Sequence, residues 1–202
     1  EGSVPAIPAP GAWVLPLFTL GSIWLILWRG RMQLVGLAPV LAAFALWAMA
    51  ERPALLVSGD GKLLGLAGPE GRALSAPKGG GFAAENWLQN DGDLMEQVLA
   101  AERAGFEGPK GERWFILAGL QAVLLSGKGA EGKLAEVCKT AGLVILAAEA
   151  TAVPARCPLI DQTILASTGP LAVWQEGDAL RIEQTKGAHR LWSPPSRRVD
   201  LP

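Results

Sequence analysis

Two long runs without a charged side chain constrain this sequence more than any other feature. Residues 12–28 and 34–50 each form a run of 17 uncharged residues, and residues 29–33 separate them. At about 1.5 Å per residue, each run reaches roughly 26 Å as a helix, which is the short end of a membrane span. Neither run has the polar face of a surface helix. The pattern predicts a two-helix transmembrane hairpin, and a buried helical hairpin of a soluble protein is the alternative.

Tryptophan and arginine side chains mark the ends of these runs. Trp13 and Trp28 lie at the two ends of the first run, and Trp47 lies near the end of the second, as in the aromatic belts of membrane proteins. Arg29 and Arg31 lie in the turn, which the positive-inside rule places in the cytoplasm. We therefore expect membrane lipid around the hairpin, these five side chains as interface anchors, and a periplasmic or extracellular location for the region after residue 50.

Charge divides the chain at residue 50. The first 50 residues contain only three charged side chains, and the other 152 contain 34, or about 22%, which is near the value for an ordinary globular domain. The net charge of −1 gives no basic footprint for nucleic acid over the chain as a whole. One His and two Cys exclude a His-rich metal site and a Cys₄ zinc site. The chain begins with Glu rather than Met, which predicts a fragment or a processed product.

Turn signals divide the rest of the chain into short elements. Residues 1–11 hold three prolines and are predicted to be a connector, residues 51–192 an extracytoplasmic α+β domain dominated by β-hairpins, and residues 193–202 a loose tail. Asp60-Gly61 between apolar runs is a strong hairpin signal. The predicted strands cover residues 54–57, 62–66, 114–117, 121–126, 143–148, 171–175 and 179–184, and the predicted helices cover residues 82–88, 91–104 and 131–140.

A glycine-rich segment approaches the pattern of a phosphate-binding loop. Residues 127–133 fit G-x-x-x-x-G-K between a predicted strand and a predicted helix. Leu134 follows where Ser or Thr would hold Mg²⁺, and Glu131 places a carboxylate inside the loop. An ordinary glycine-rich connection is favoured over nucleotide binding.

The cysteines and a group of basic residues are the other candidate functional features. Cys138 and Cys157 are 19 positions apart, and in an oxidising compartment they could form a disulfide, whereas two buried free thiols are the alternative. Arg181, Lys186 and Arg190 belong to a loose basic group around Trp192, which also contains the single His189. Such a group could contact a DNA backbone, although a solvated surface is the more ordinary interpretation.

The order of these segments resembles a known family. The residues from Trp24 to Gly68 look like the end of the channel region of ComEC-type competence proteins, especially the alphaproteobacterial members, followed by the start of their C-terminal domain. The later segments fit in order, namely Phe82 with Trp87-Leu88, residues 91–93, Cys138 with residues 141–145, Cys157 with Ile160-Asp161, and residues 187–194. The resemblance covers nearly the whole chain.

The resemblance implies a polytopic bacterial inner-membrane protein that imports single-stranded DNA during natural transformation. Its partners would be membrane lipid, single-stranded DNA and other competence proteins, and its C-terminal domain would have a metallo-β-lactamase-like fold outside the cytoplasm. The His-x-His-x-Asp-His cluster of the family is missing, and Ala147-Ala148-Glu149 stand where a His-His-Gly stretch would be expected. We therefore expect a degenerate, non-catalytic domain without a metal or other cofactor.

Two alternatives to this function remain open from the sequence. One is a metal-dependent hydrolase or nuclease in which Asp60, Asp91, Asp93 and Asp161 converge on a divergent carboxylate site. The other is a membrane-tethered binding domain unrelated to competence.

Overall fold

The computed structural model describes residues 7–152, 154, 157–177 and 179–186. The chain divides into two compact units between Arg52 and Pro53. The expected mixed α+β class is confirmed, because the described residues form helices together with two β-sheets.

The first unit contains two antiparallel helices. α1 spans Val14–Leu27, a 3₁₀ helix spans Gly30–Gly36, and α2 spans Leu37–Ala48. α1 ends because Trp28 and Arg29 are extended, with ψ of 153° and 155°. The α-helices are therefore shorter than the predicted spans 12–28 and 34–50, and most of the predicted turn is a 3₁₀ helix that runs directly into α2.

Small residues let the two helices approach closely. A Cβ atom on Gly21 would lie 2.8 Å from the carbonyl oxygen of Gly36, and one on Gly36 would lie 2.9 Å from that of Gly21. The rings of Phe18 and Phe44 meet edge to face, with centroids 5.9 Å apart. Phe18 lies early in α1 and Phe44 late in α2, so this contact fixes the antiparallel arrangement.

The second unit contains two sheets. In the described residues the elements are β1 (Leu55–Val57), β2 (Leu64–Gly68), β3 (Gly71–Leu74), α3 (Gly81–Asn90), α4 (Gln97–Ala100), β4 (Glu112–Leu117), β5 (Leu120–Leu125), α5 (Ala130–Val137), β6 (Leu143–Leu146), β7 (Leu159–Ile160), α6 (Gln162–Thr168), β8 (Leu171–Glu176) and β9 (Ala179–Gln184). The first sheet has strand order β3-β2-β1-β8-β9 with antiparallel neighbours. The second has order β4-β5-β6-β7, in which β4 is antiparallel to β5, and β5, β6 and β7 are parallel.

Side-chain hydrogen bonds and backbone conformation explain the β1–β2 and β4–β5 hairpin turns. Between β1 and β2, the Ser58 hydroxyl donates to Asp60 Oδ1 over 2.6 Å, and the Lys62 backbone N–H donates to the same oxygen over 3.1 Å. Between β4 and β5, Ala118 and Gly119 both take positive φ, of 49° and 81°. Two left-handed residues match the twist of antiparallel strands, so this turn sets the register of β4 on β5.

The two sheets pack face to face and carry helices on their outer faces. Apolar side chains of both sheets form the central core, to which α6 adds Leu165. α5 packs on the outer face of the second sheet through Leu134 and Val137. α3 packs on the outer face of the first sheet, where a Cβ on Gly65 would lie 3.0 Å from the Trp87 ring. The second unit is therefore a helix–sheet–sheet–helix sandwich.

The predicted helix over residues 91–104 is wrong in length. α4 is a single turn, Gln97–Ala100. Asp91 pairs with Arg72, Gly92 takes a φ of +74°, and the carboxylate of Asp93 accepts from the Met95 backbone N–H over 3.0 Å. These polar contacts hold residues 91–95 in a turn and delay the start of the helix.

Candidate functional site

The first unit is apolar over most of its surface. Gly30–Ala48 is 19 residues long with a mean hydropathy of 1.5, which is long and apolar enough to cross a membrane by length and composition. α1 is also apolar but is shorter, at 14 residues. Large side chains such as Leu20 and Ile26 are 61% and 79% exposed. Exposure of so much apolar surface is unfavourable in water.

The five predicted anchor residues lie at the two ends of the helix pair. Trp28, Arg29 and Arg31 are exposed at the end where the chain turns. Trp13 is exposed at the opposite end, beside the start of α1. Trp47 lies late in α2 and donates its indole N–H to the Pro8 carbonyl over 2.8 Å. Of these five side chains, the tryptophans occur at both ends and the two arginines at the turn, while Glu51 and Arg52 follow α2 at the opposite end.

A disulfide joins Cys138 and Cys157 in the structure, with their Cα atoms 5.3 Å apart. Cys138 caps the C-terminus of α5, and Cys157 lies just before β7. Both side chains pack against the apolar cluster between α5 and the second sheet. The bond therefore ties the outer helix to the loop between β6 and β7.

Arg181 forms an ion-paired cluster on β9. Its Nε and Nη1 atoms each donate over 2.6 Å, to Glu176 and Glu183 respectively. Its guanidinium lies 5.4 Å from the ring centroid of Trp174, whose indole N–H also donates to Glu183. The partner Glu176, followed by Glu183, raises the pKa of Arg181, and Arg181 lowers the pKa of Glu183. Two carboxylates thus neutralise the charge of this candidate DNA contact.

The other two candidate DNA contacts are placed differently. Lys186 is exposed, and its ammonium donates to the Ala166 carbonyl over 2.7 Å. Arg190 lies outside the described residues, as do His189, Trp192 and the predicted tail 193–202. Among the described residues of the basic group, the Lys186 ammonium is bonded to a neutral carbonyl, whereas two carboxylates offset the charge of Arg181.

The four candidate metal-binding carboxylates have other roles. Asp91 pairs with the buried Arg72, and Asp93 pairs with Arg103. Asp161 caps α6 by accepting from the Ile164 backbone N–H over 2.9 Å. Burial raises the pKa of Asp60, but hydrogen bonds from Ser58 and the Lys62 backbone outweigh it, so that the pKa is lowered.

The donor set does not fit the metal centre of a lactamase-type hydrolase. Within residues 7–152, 154, 157–177 and 179–186, no three His, Cys, Asp or Glu side chains lie close enough together to hold a metal ion. The residues that follow β6 are Ala147, Ala148 and Glu149, of which only Glu149 offers a ligand. No catalytic step through a metal can be derived from these residues.

The glycine-rich loop before α5 is a structural connection. Leu134, at the position that would hold Mg²⁺ in a phosphate-binding loop, is buried in the core. Glu131 accepts from the Thr151 backbone N–H over 2.6 Å, and this bond lowers its pKa. Lys133 pairs with Glu112 over 2.6 Å. These contacts attach Glu131 and Lys133, in the first turn of α5, to the segment after β6 and to β4.

The surface around α3 and α4 was not predicted as a site. Phe82, Leu94, Met95, Val98 and Leu99 are all exposed there. The helical spacing of the apolar residues predicted one apolar face of a helix over residues 91–104, and the contacts of Asp91 and Asp93 instead hold residues 91–95 in a turn. The sequence holds no separate signal for this exposure.

No protein-family model matches the chain, and no curated protein or solved structure matches it.

Proposed function

We propose that this chain is the C-terminal part of an inner-membrane DNA-uptake channel protein of the ComEC type. In this proposal α1 and α2 form a transmembrane hairpin, and the sandwich is a degenerate, non-catalytic metallo-β-lactamase-like domain in the periplasm. The observation that carries the proposal is the direct succession of an exposed apolar helix pair and a helix–sheet–sheet–helix sandwich.

The distribution of charge and of tryptophan supports the membrane assignment. Arg29 and Arg31 lie at the turn between the helices, which would be the cytoplasmic end. The Cys138–Cys157 disulfide is of the kind that persists in the periplasm and is rare in the cytoplasm. Both observations favour a sandwich that lies outside the cytoplasm.

The layer order and the missing ligands support a non-catalytic lactamase-like domain. Two facing sheets with helices on both outer faces agree with the layers expected of that fold. The carboxylates of Asp60, Asp91, Asp93 and Asp161 hold turns, ion pairs and a helix cap instead of converging. This arrangement favours a binding role over the hydrolase alternative.

Contact with single-stranded DNA would involve Arg181, Lys186 and Arg190. A phosphate must compete with Glu176 and Glu183 for Arg181, whereas Lys186 has only a carbonyl to release. We therefore expect weak binding that depends strongly on salt concentration, with a larger contribution from Lys186 than from Arg181.

Uptake of DNA by the cell that encodes this protein tests the proposal. Deletion of the coding segment is expected to abolish entry of labelled single strands into the cytoplasm, and the intact gene should restore it. The triple variant Arg181→Ala, Lys186→Ala, Arg190→Ala should reduce uptake and flatten its salt dependence, whereas the matched variant Lys62→Ala, Lys110→Ala, Lys128→Ala should not. Unchanged uptake after deletion would refute the proposed function.

Topology is tested separately with a reporter fused after Pro202. A phosphatase reporter, which folds only outside the cytoplasm, should be active, and a fluorescent reporter, which folds only inside, should be dark. The opposite result would mean that the sandwich lies in the cytoplasm.

Metal analysis of the purified chain tests the hydrolase alternative. It should find no stoichiometric metal, and bound metal would favour that alternative.

A further inference from the structure

The exposed apolar side chains of the sandwich unit are concentrated on one small surface. In the part of that unit which the structure describes, seven large apolar side chains are exposed, and five of them lie between residues 82 and 99. Two of them, Phe82 and Leu94, are 84% and 68% exposed. Single exposed apolar residues are ordinary, but five within 18 residues of chain mark this segment as a candidate interaction surface.

A groove runs through this patch between α3 and the segment that leads into α4. Its volume is about 360 Å³. Leu88, which is buried, forms its floor, and Leu94 and Met95 line it together with Gln89. Phe82 on α3, and Val98 and Leu99 on α4, are further exposed apolar side chains of the two helices that flank the groove. Together the groove and its flanks offer room for side chains that project from another polypeptide.

The charges at the groove are all negative apart from one internal pair. The lining contains the carboxylates of Glu85, Asp93 and Glu96 and no Lys, Arg or His. Asp93 is neutralised by Arg103, whereas Glu85 and Glu96 are exposed. An acidic rim repels DNA and anionic lipid headgroups, and it attracts cationic side chains.

We propose that this groove binds a basic amphipathic helix of a partner protein. Apolar residues of the helix, at i, i+3 and i+4, would lie over Leu88 and against Leu94 and Met95. Lys or Arg residues beside them would pair with Glu85 and Glu96. The site is separate from the candidate DNA contacts on β9, and it stands whether or not the sandwich contacts DNA.

Photo-crosslinking to the full chain in nanodiscs of neutral lipid tests this proposal. The probe is a synthetic Lys/Leu amphipathic peptide with a diazirine on one Leu, and the control is a Glu/Leu peptide with the same apolar pattern. The Lys/Leu peptide should cross-link within residues 82–99, with an affinity that falls as salt rises, and the Glu/Leu peptide should not. Site mapping by mass spectrometry separates this binding from adsorption of the peptide to lipid.

Paired variants separate the groove from general charge and apolarity. Leu94→Ser with Met95→Ser should weaken binding about tenfold, whereas Ile116→Ser, which removes an equally exposed apolar side chain elsewhere, should not change it. Glu85→Gln with Glu96→Gln should weaken binding and flatten its salt dependence, and Glu70→Gln with Glu136→Gln should not. Cross-links outside residues 82–99, equal binding of the Glu/Leu peptide, or equal loss in the control variants would each overturn the proposal.

Discussion

In the first unit, Leu20 and Ile26 point outward from α1 and are largely exposed, whereas in the sandwich unit Leu55, Val173 and Ile145 are completely buried. The two units differ as much in charge, because the sandwich contains almost all of the charged side chains and buries some of them in pairs. A protein in water is stabilised by burying apolar side chains and exposing charged ones, whereas a protein in lipid exposes apolar side chains. The two units therefore differ in where their apolar side chains lie and in how much charge they carry.

The largest effect is expected at the buried ion pair of the sandwich. Arg72 has a completely buried side chain, and it donates to Asp91 over 2.6 Å and to the Gly65 carbonyl over 2.9 Å. Asp91→Ala leaves this cation buried without its carboxylate and should lower the free energy of unfolding by about 3–5 kcal/mol in chemical denaturation. Glu112→Ala, which breaks a pair with the half-exposed Lys133, should cost below about 1 kcal/mol. Similar losses in the two variants would mean that the sandwich does not protect Arg72 from water.

A charge in the middle of α1 is the next largest change. Leu20→Asp should disfavour membrane insertion by about 3 kcal/mol, because a carboxylate at the centre of a span loses its hydration. The measurement is the fraction of chain that resists alkaline extraction from membranes. Ile116→Asp, at a 70% exposed position of the sandwich, should leave that fraction unchanged. If Leu20→Asp were extracted no more readily than the unaltered chain, α1 would not lie in lipid.

The disulfide is a covalent tie that belongs to the sandwich. Cys138 and Cys157 close a loop of 19 positions, and on the chain-entropy estimate their bond adds about 3 kcal/mol. In urea unfolding, the double variant Cys138→Ser, Cys157→Ser should have a free energy of unfolding lower by about 3 kcal/mol. Reduction of the native chain should have the same effect. Thiol labelling of the chain isolated from cells supplies the control, and two reactive thiols there would place the sandwich in a reducing compartment.

Sequence patterns predicted elements that depend on neighbours along the chain. The Asp60-Gly61 turn between β1 and β2 was predicted because its hydrogen bonds join residues within five positions of one another. The apolar run of residues 143–148 predicted a buried strand, and β6 is buried throughout. The pairing of β6 with β7 was not predicted. β7 has only two residues, which is too short for a hydrophobic period to be recognised in the sequence.

Contacts between residues far apart in the sequence account for the predictions that failed. The helix predicted over residues 91–104 gave way to a turn because Asp91 and Asp93 pair with Arg72 and Arg103. At the candidate DNA site, Arg181 was predicted as a backbone contact without reference to its ion pairs, although alternation along β9 already places Glu183 on its side of the sheet. Glu176 reaches Arg181 from β8, and that contact depends on the register of the hairpin.

The helix contact of the first unit uses glycine where the sandwich core uses leucine. A Cβ on Gly21 would lie 2.7 Å from Val40 Cγ2 and 2.8 Å from the Gly36 carbonyl oxygen. Gly21→Ala should therefore push α1 away from α2 and reduce the stability of the pair by about 1–2 kcal/mol in detergent unfolding. Gly11→Ala, whose Cβ would meet no atom within 4 Å, is the matched control. A stabilised Gly21→Ala variant would show that the helices can separate without loss.

The smallest effect is the response of the two units to acid. Burial raises the folded pKa of Asp60, but hydrogen bonds from Ser58 and the Lys62 backbone outweigh it, and the pKa is lowered overall. The ionised carboxylate therefore stabilises the turn above the ordinary pKa near 3.8. That stability is lost as the pH falls below about 4, through the lowered folded value. Asp60→Asn should therefore show a flatter fall of Tm between pH 5 and 2.5, by roughly a degree or two, than the unaltered chain. Glu70→Gln is the control at an exposed turn and should not flatten this fall of Tm.

The two units also differ in how many carboxylates acid can protonate. In the described part of the first unit the only carboxylate side chain is that of Glu51, beyond the end of α2. Acid should therefore alter the near-ultraviolet signal of the sandwich before it alters the helical signal of α1 and α2. Simultaneous loss of both signals would mean that the two units unfold as one.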